Sequence, residues 1–127
     1  MIKILFVCTG NTCRSPMASA IAKKIVSDKK LDFQIESRGV SVFSESRASN
    51  NAILLVQKKG LSLEEHISKQ ISENDILNSD YIFTMTQSHK NFLTNTFFEN
   101  GHKVHLLSEF AENRVRDVYD PFGGDLS

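Results

Sequence analysis

Two cysteines in 127 residues, Cys8 and Cys13, are too few and too close together for a disulfide framework, which would spread its bridges across the chain. They read as thiols of a reducing compartment that are available for chemistry. An excess of charge is also missing, because fifteen Lys and Arg residues balance fifteen Asp and Glu. That removes the electrostatic argument for a nucleic acid or a membrane surface as partner and leaves room only for a local basic pocket. No apolar run is long enough to span a bilayer. The N-terminal run Ile4 to Val7 is too short for a signal-peptide core and is cut off by Cys8-Thr9-Gly10. A cytoplasmic protein is expected. Repeats, low-complexity tracts and linker-like stretches are absent too, so residues 1–127 read as a single domain with a core of its own.

What is present alternates in period. Residues 2–7, IKILFV, form a short continuous apolar run of the kind buried on both faces of a parallel sheet. From Ser15 the period changes. Pro16 suits a first helical turn, and Met17, Ala20, Ile21, Lys24 and Ile25 recur at helical spacing to about Asp28. Asp32 to Arg38 alternates with Phe33 and Ile35 on one side and stops at Gly39, a second strand. A helix is predicted over Ala48 to Lys59, with Ala52, Leu55 and Val56 as its stripe and Gly60 as C-terminal cap. Ser72 to Leu77 carries a capping box, Ser72 with Asp75, ahead of a third strand at Tyr81 to Met85. Gln87 to Phe98 then reads as a helix and Lys103 to Leu107 as a fourth strand. Strands alternating with helices imply right-handed parallel crossovers, hence a small doubly wound α/β fold: four parallel strands with helices on both faces. No helix follows the fourth strand before Ser127, so either a C-terminal helix is lacking or one face is thinly covered.

The chemistry concentrates between the first strand and first helix, in Cys8-Thr9-Gly10-Asn11-Thr12-Cys13-Arg14-Ser15. A loop that wraps an anion needs several backbone N–H groups converging on one point, and a helix N-terminus adds its positive end. Gly10 is expected to permit the tight curvature. Arg14 can offer two parallel N–H bonds to phosphoryl oxygens, a planar geometry that lysine lacks. At the opening of the loop the same groups favour the thiolate of Cys8, and Ser15 can donate its hydroxyl hydrogen to that sulfur. The plainer reading is a buried thiol ending a strand, with Ser15 capping the helix.

Phosphoryl transfer to a thiolate also needs a proton for the leaving group, supplied by a carboxylic acid on a loop at the same sheet edge. The segment Asp117 to Gly124 offers Asp120, stiffened by Pro121, with Asp117 as fallback. By composition alone, Asp-Pro before Gly-Gly is a turn.

VCTGNTCRSPMA at 7–18 together with DPFGG at 120–124 resembles the low-molecular-weight protein tyrosine phosphatases. The likeness extends over Ser37-Arg38-Gly39 and over Asp80 to Met85 with His89 in the next helix. It implies that Cys8 attacks phosphorus and that Asp120 first protonates the leaving group, then activates the water that breaks the cysteinyl phosphate. Neither metal nor other cofactor is needed, and the partners are phosphorylated proteins. It further implies a binding loop of Thr9, Gly10, Asn11, Thr12, Cys13 and Ser15, with Asn11 bracing an unusual backbone conformation. Cys13 would pair reversibly with Cys8 under oxidation, or simply fill the loop interior. Threonine at position 12, with DPFGG, resembles the bacterial protein-arginine phosphatases within this family. In them the residue matching Phe122 lines the pocket and the one matching Asp120 also faces the guanidinium, which places phosphoarginine ahead of phosphotyrosine. Phe43 is either a loop anchor or part of the pocket rim.

Other readings of the loop are an arsenate reductase and a phosphocarrier module. The first passes its disulfide along a further cysteine pair, which this chain lacks; the second has no use for Arg14 or Asp120. A zinc site is disfavoured, since a strand at 103–107 would point His102 and His105 to opposite faces and neither cysteine has ligand spacing to them. No residue pattern specifies an oligomeric state.

Overall fold

The computed structural model describes residues 1–12, 14–42, 44–63 and 66–107. Within them the chain runs β1 (Ile2–Cys8), α1 (Arg14–Asp28), β2 (Phe33–Gly39), α2 (Asn50–Gln57), α3 (Glu73–Asn78), β3 (Tyr81–Thr84), α4 (Gln87–Thr96), a 3₁₀ turn at Phe98–Lys103 and β4 (Val104–Leu106). The four strands form one parallel sheet in the order β2-β1-β3-β4. This is the doubly wound arrangement expected from the alternation of strands and helices. β1 lies inside the sheet, and the chain reverses its winding between β1 and β3. At such a switch point the C-terminal ends of two adjacent strands open a crevice. Cys8 stands at that end of β1.

β1 is apolar from Ile4 to Cys8, the part of the strand whose two faces are covered. Leu5 and Val7 pack with Ile76, Ile82, Leu93 and Val104 on the side of α3 and α4. Phe6 and Cys8 pack with Ile35, Phe83 and Met85 on the side of α1. Each fully buried aliphatic side chain of this kind contributes about 1.5–3 kcal/mol. α2 lies on α1 rather than on the sheet, through Ala20, Ala48, Ala52, Val56 and Leu63.

That layering corrects the stripe expected for α1. Ile21 and Ile25 are 39% and 48% exposed. Ala18, Ala22 and Val26 face the sheet instead, while Met17 and Ala20 face α2. Small residues win these positions because α1 is wedged between two layers, and only short side chains let it approach both.

Element ends also move. α2 starts at Asn50, since Ser49 is its N-cap and accepts from Ala52 N at 3.2 Å. The capping box at Ser72 and Asp75 is formed in both directions. α4 stops at Thr96 and β4 begins only at Val104, because Asn100-Gly101 turns the chain through the 3₁₀ segment. His102 therefore precedes the strand, and it lines one cleft with His105, Asp80 and Tyr81 rather than facing away from it. The expectation about a helix after the fourth strand falls on residues outside those described.

Two helices end in the same left-handed turn. After α2, Gly60 has φ of 76°, with Gly60 N bonded to Gln57 O and Leu61 N to Val56 O, the Schellman pattern. After α1, Lys30 plays the same part with φ of 54°, Lys30 N on Ser27 O and Leu31 N on Val26 O. A Cβ in this region is unfavourable, and glycine avoids that cost at some loss of backbone entropy. Lys30→Gly should therefore raise stability by about 0.5–1 kcal/mol in urea unfolding; a destabilised variant would show that the lysine side chain outweighs the backbone strain.

Candidate active site

Cys8 ends β1 with 3% of its surface exposed, and Arg14 opens α1. Between them the carbonyls are tied outward one after another. Cys8 O accepts from Val40 N at 3.0 Å, Thr9 O from Ser41 N at 2.9 Å and Thr12 O from Ser49 N at 2.7 Å. Asn11 O accepts from the Nε2–H of His66 at 2.7 Å. The N–H groups of Thr9, Gly10, Asn11 and Thr12 have no acceptor among the described residues. Four amides without acceptors, beside a thiol and a helix start, make an anion-binding concavity.

The sharp bend is not at the glycine. Gly10 has no left-handed φ, and a Cβ on it would sit 3.6 Å from Thr12 Oγ1, an ordinary contact. The left-handed residue is Asn11, with φ of 54°. Asparagine tolerates that region better than other side-chain-bearing residues, and here its amide is fully used. Nδ2 donates to Ser15 Oγ at 2.8 Å and to Ser37 Oγ at 2.9 Å, and Oδ1 accepts from Lys69 N at 3.0 Å. Because Lys69 N can only donate, the amide orientation is settled.

The same network points Ser15. Its oxygen accepts from Asn11, so its own hydrogen is directed to Cys8 Sγ at 2.9 Å, or to the more distant Arg38 O at 3.4 Å. Arg38 itself is committed elsewhere, paired with Glu36 and Asp75 at 3.1 Å each. Burial pushes the Glu36 carboxyl up, but hydrogen bonds from Arg38 and Gln34 outweigh it and hold the group below 4.5.

His66 titrates below its ordinary 6.5. Burial disfavours its cation; the Asn11 carbonyl favours it, and the positive charges of Lys23, Arg38 and Lys69 oppose it. The imidazole therefore braces the loop in its neutral form, with the proton on Nε2.

Of the residues expected in the site, Cys8, Thr9, Gly10, Asn11, Thr12, Arg14 and Ser15 share this one loop. Cys13, Asp117, Asp120, Phe122 and Phe43 lie outside the described residues. Ser37, Gly39, His66 and His89 also hold the loop, and nothing in their local sequence marks them for that role. Gly39 is pressed against the loop: a Cβ there would lie 2.7 Å from Thr9 O, 3.0 Å from Asn11 N and 2.6 Å from Val42 Cγ2. The end of the second strand at Gly39 was visible in the sequence, but not what packs on it. Among the described residues, no group of three or more His, Cys, Asp and Glu could hold a metal ion.

Gly39→Ala should cost about 1–3 kcal/mol, because two of the three obstructing atoms are backbone; a variant as stable as the parent in urea unfolding would show that the loop yields freely. His66 sets a pH dependence. As pH falls through 6.5 the unfolded chain takes up a proton that the folded chain still refuses, so stability declines below that value and is fully present above it. His66→Gln keeps an N–H for Asn11 but cannot titrate. Unfolding midpoints from pH 7.5 to 5 should fall less steeply in the variant, and parallel curves would contradict the assignment.

A family model described as low molecular weight phosphotyrosine protein phosphatase matches residues 3–127. Over 98% of its length the chain is 42% identical to PtpB of Staphylococcus haemolyticus (strain JCSC1435), a low molecular weight protein-tyrosine-phosphatase of which 85% is covered. It is 37% identical over 97% of its length to a protein-arginine-phosphatase of Bacillus subtilis (strain 168), covering 81% of that protein. A crystal structure of a YwlE mutant from Bacillus subtilis aligns with a TM-score of 0.93 at 35% identity, covering 98% of this chain and 84% of the other. A YwlE arginine phosphatase mutant with a phosphorylated active-site serine aligns with a TM-score of 0.92 at 36% identity, covering 98% and 81%. With the match running through the anion-binding loop and nearly end to end, the chain belongs to the low molecular weight phosphotyrosine protein phosphatase family.

Proposed function

We propose that this chain hydrolyses phosphorylated protein side chains through a phosphocysteine, with phosphoarginine preferred to phosphotyrosine. The observation that carries the reaction class is the loop itself. Four amides without acceptors surround a buried thiol whose sulfur receives a directed hydroxyl. With substrate bound, the amides and the Arg14 guanidinium hold the phosphoryl oxygens as charge develops on them. Cys8 sulfur attacks phosphorus as the bond to the leaving nitrogen or oxygen breaks, and Asp120 protonates the leaving group. Water, deprotonated by Asp120, then cleaves the S–P bond and releases inorganic phosphate and the thiolate. Ser15 assists this second departure by its bond to sulfur. Phosphate on the active-site serine of a structural relative supports a covalent intermediate at this position.

The preference for phosphoarginine rests on Thr12 and on the relatives. Thr12 is half-buried at the loop, and its hydroxyl has no hydrogen-bond partner among the described residues, leaving it available to a guanidinium N–H. A larger aliphatic side chain there would offer a wall to a phenyl ring instead. Phe122, expected beside the pocket, completes the apolar part of this reading. The relatives named above include both a protein-arginine and a protein-tyrosine phosphatase.

Hydrolysis of phosphoarginine and phosphotyrosine peptides should be measured side by side for the parent chain, Cys8→Ser and Thr12→Ile. Cys8→Ser is expected to abolish turnover and Thr12→Ile to shift preference toward phosphotyrosine by about tenfold. Activity retained in Cys8→Ser would overturn the mechanism, and an unshifted preference in Thr12→Ile would overturn the role of Thr12.

A further inference from the structure

Thr9, the first residue after Cys8, is held from two directions. Its carbonyl accepts from Ser41 N at 2.9 Å, and its hydroxyl lies 2.7 Å from Nε2 of His89, eighty residues along the chain. His89 is buried in the first turn of α4, where Thr86 caps the helix. Thr86 Oγ1 accepts from His89 N at 3.3 Å and lies 3.1 Å from the ring's Nδ1. Both ring nitrogens are thus spent on hydroxyls, one on the helix cap and one on the anion-binding loop.

From this geometry we infer that His89 is a positioning residue of the phosphate loop, fixing Thr9 so that its free N–H stays aimed at the bound anion. The inference rests on the reading of the loop as a phosphoryl site. A helix cap alone does not need the ring. The cap bond is made by the backbone N–H of His89, which any residue but proline supplies, while the bond to Thr9 requires a polar atom at the reach of Nε2. The sheet topology explains why this link exists: β1 and β3 are neighbours with aligned C-terminal ends, so the loop after one and the helix after the other face each other across the switch point. Ser41 fixes the peptide that Thr9 shares with Gly10, and His89 fixes the side chain; together they leave Thr9 little rotation about its own backbone.

Glutamine and asparagine substitutions separate the two bonds. A glutamine amide in place of the ring reaches the position of Nε2, whereas an asparagine amide reaches only that of Nδ1. Binding of inorganic phosphate to the full chain should be measured by calorimetry for the parent, His89→Gln, His89→Asn, Thr9→Val and the Thr9→Val, His89→Asn double variant, each shown to be folded by circular dichroism. Loss of one neutral hydrogen bond at the loop should weaken phosphate binding about fivefold in His89→Asn and in Thr9→Val, with the double variant no weaker than either alone. His89→Gln should remain within about twofold of the parent. Equal affinity in all variants, equal weakening by the glutamine and asparagine variants, or additive losses in the double variant would overturn the role. Phosphate binding needs no turnover, so this result stands apart from whether the chain hydrolyses either phosphopeptide.

Discussion

Everything at the candidate site depends on a loop that must keep its carbonyls turned away from its own centre. Backbone amides left without acceptors are costly, on the order of 1–3 kcal/mol each when buried. An ordinary turn would use them internally. Here the opposite arrangement is enforced by outside partners: Val40, Ser41 and Ser49 supply N–H groups to three carbonyls and His66 to a fourth. The remaining strain falls on Asn11, whose left-handed backbone is held by four hydrogen bonds from its side chain and carbonyl. These partners all belong to the chain itself, so an anion bound at this loop would require little reorganisation of it.

The partners are rigid because they belong to the sheet and to segments bridged to it. Ser37 sits on β2, in register beside Phe6. The stretch containing His66 and Lys69 runs beside the end of β2, where Gly39 N donates to Lys69 O and Ile71 N donates to Gly39 O. Glycine at 39 is required by closeness rather than by dihedral angle, since the loop backbone lies where a side chain would begin. Serines serve a related purpose. Ser15, Ser19, Ser37 and Ser68 are all buried, small enough to let segments touch and polar enough to bond where they do. Ser68, for instance, accepts from Ser46 N at 2.9 Å while its own backbone N–H donates to Ser46 O at 2.7 Å.

Most of the fold was legible in the chain because its signals are local. The run from Ile2 to Val7, the capping box at Ser72 and Asp75, and Gly60 after α2 each state their conformation within a few residues. The stripe of α1 was misread for a non-local reason. Ile21 and Ile25 have the right spacing and hydropathy for a buried face, but the faces that meet the neighbouring layers carry Ala18, Ala22 and Val26 on one side and Met17 and Ala20 on the other. Likewise Gly10 looked like the residue that bends the loop, whereas the bend fell on Asn11, whose hydrogen-bonding partners are twenty-six and fifty-eight residues away at Ser37 and Lys69.

The sequence by itself determined the alternation of strands and helices, the parallel sheet, and a cysteine and an arginine at opposite ends of one short loop between strand and helix. Those follow from periodicity and spacing along the chain, which short-range sterics and hydrogen bonding convert directly into structure. Only the tertiary structure decided which groups hold that loop open. Ser37, Gly39, His66 and His89 reach it from three other segments, and what selects them is distance in space: a 2.7 Å contact between residues fifty-five or eighty apart leaves no periodic trace in the sequence.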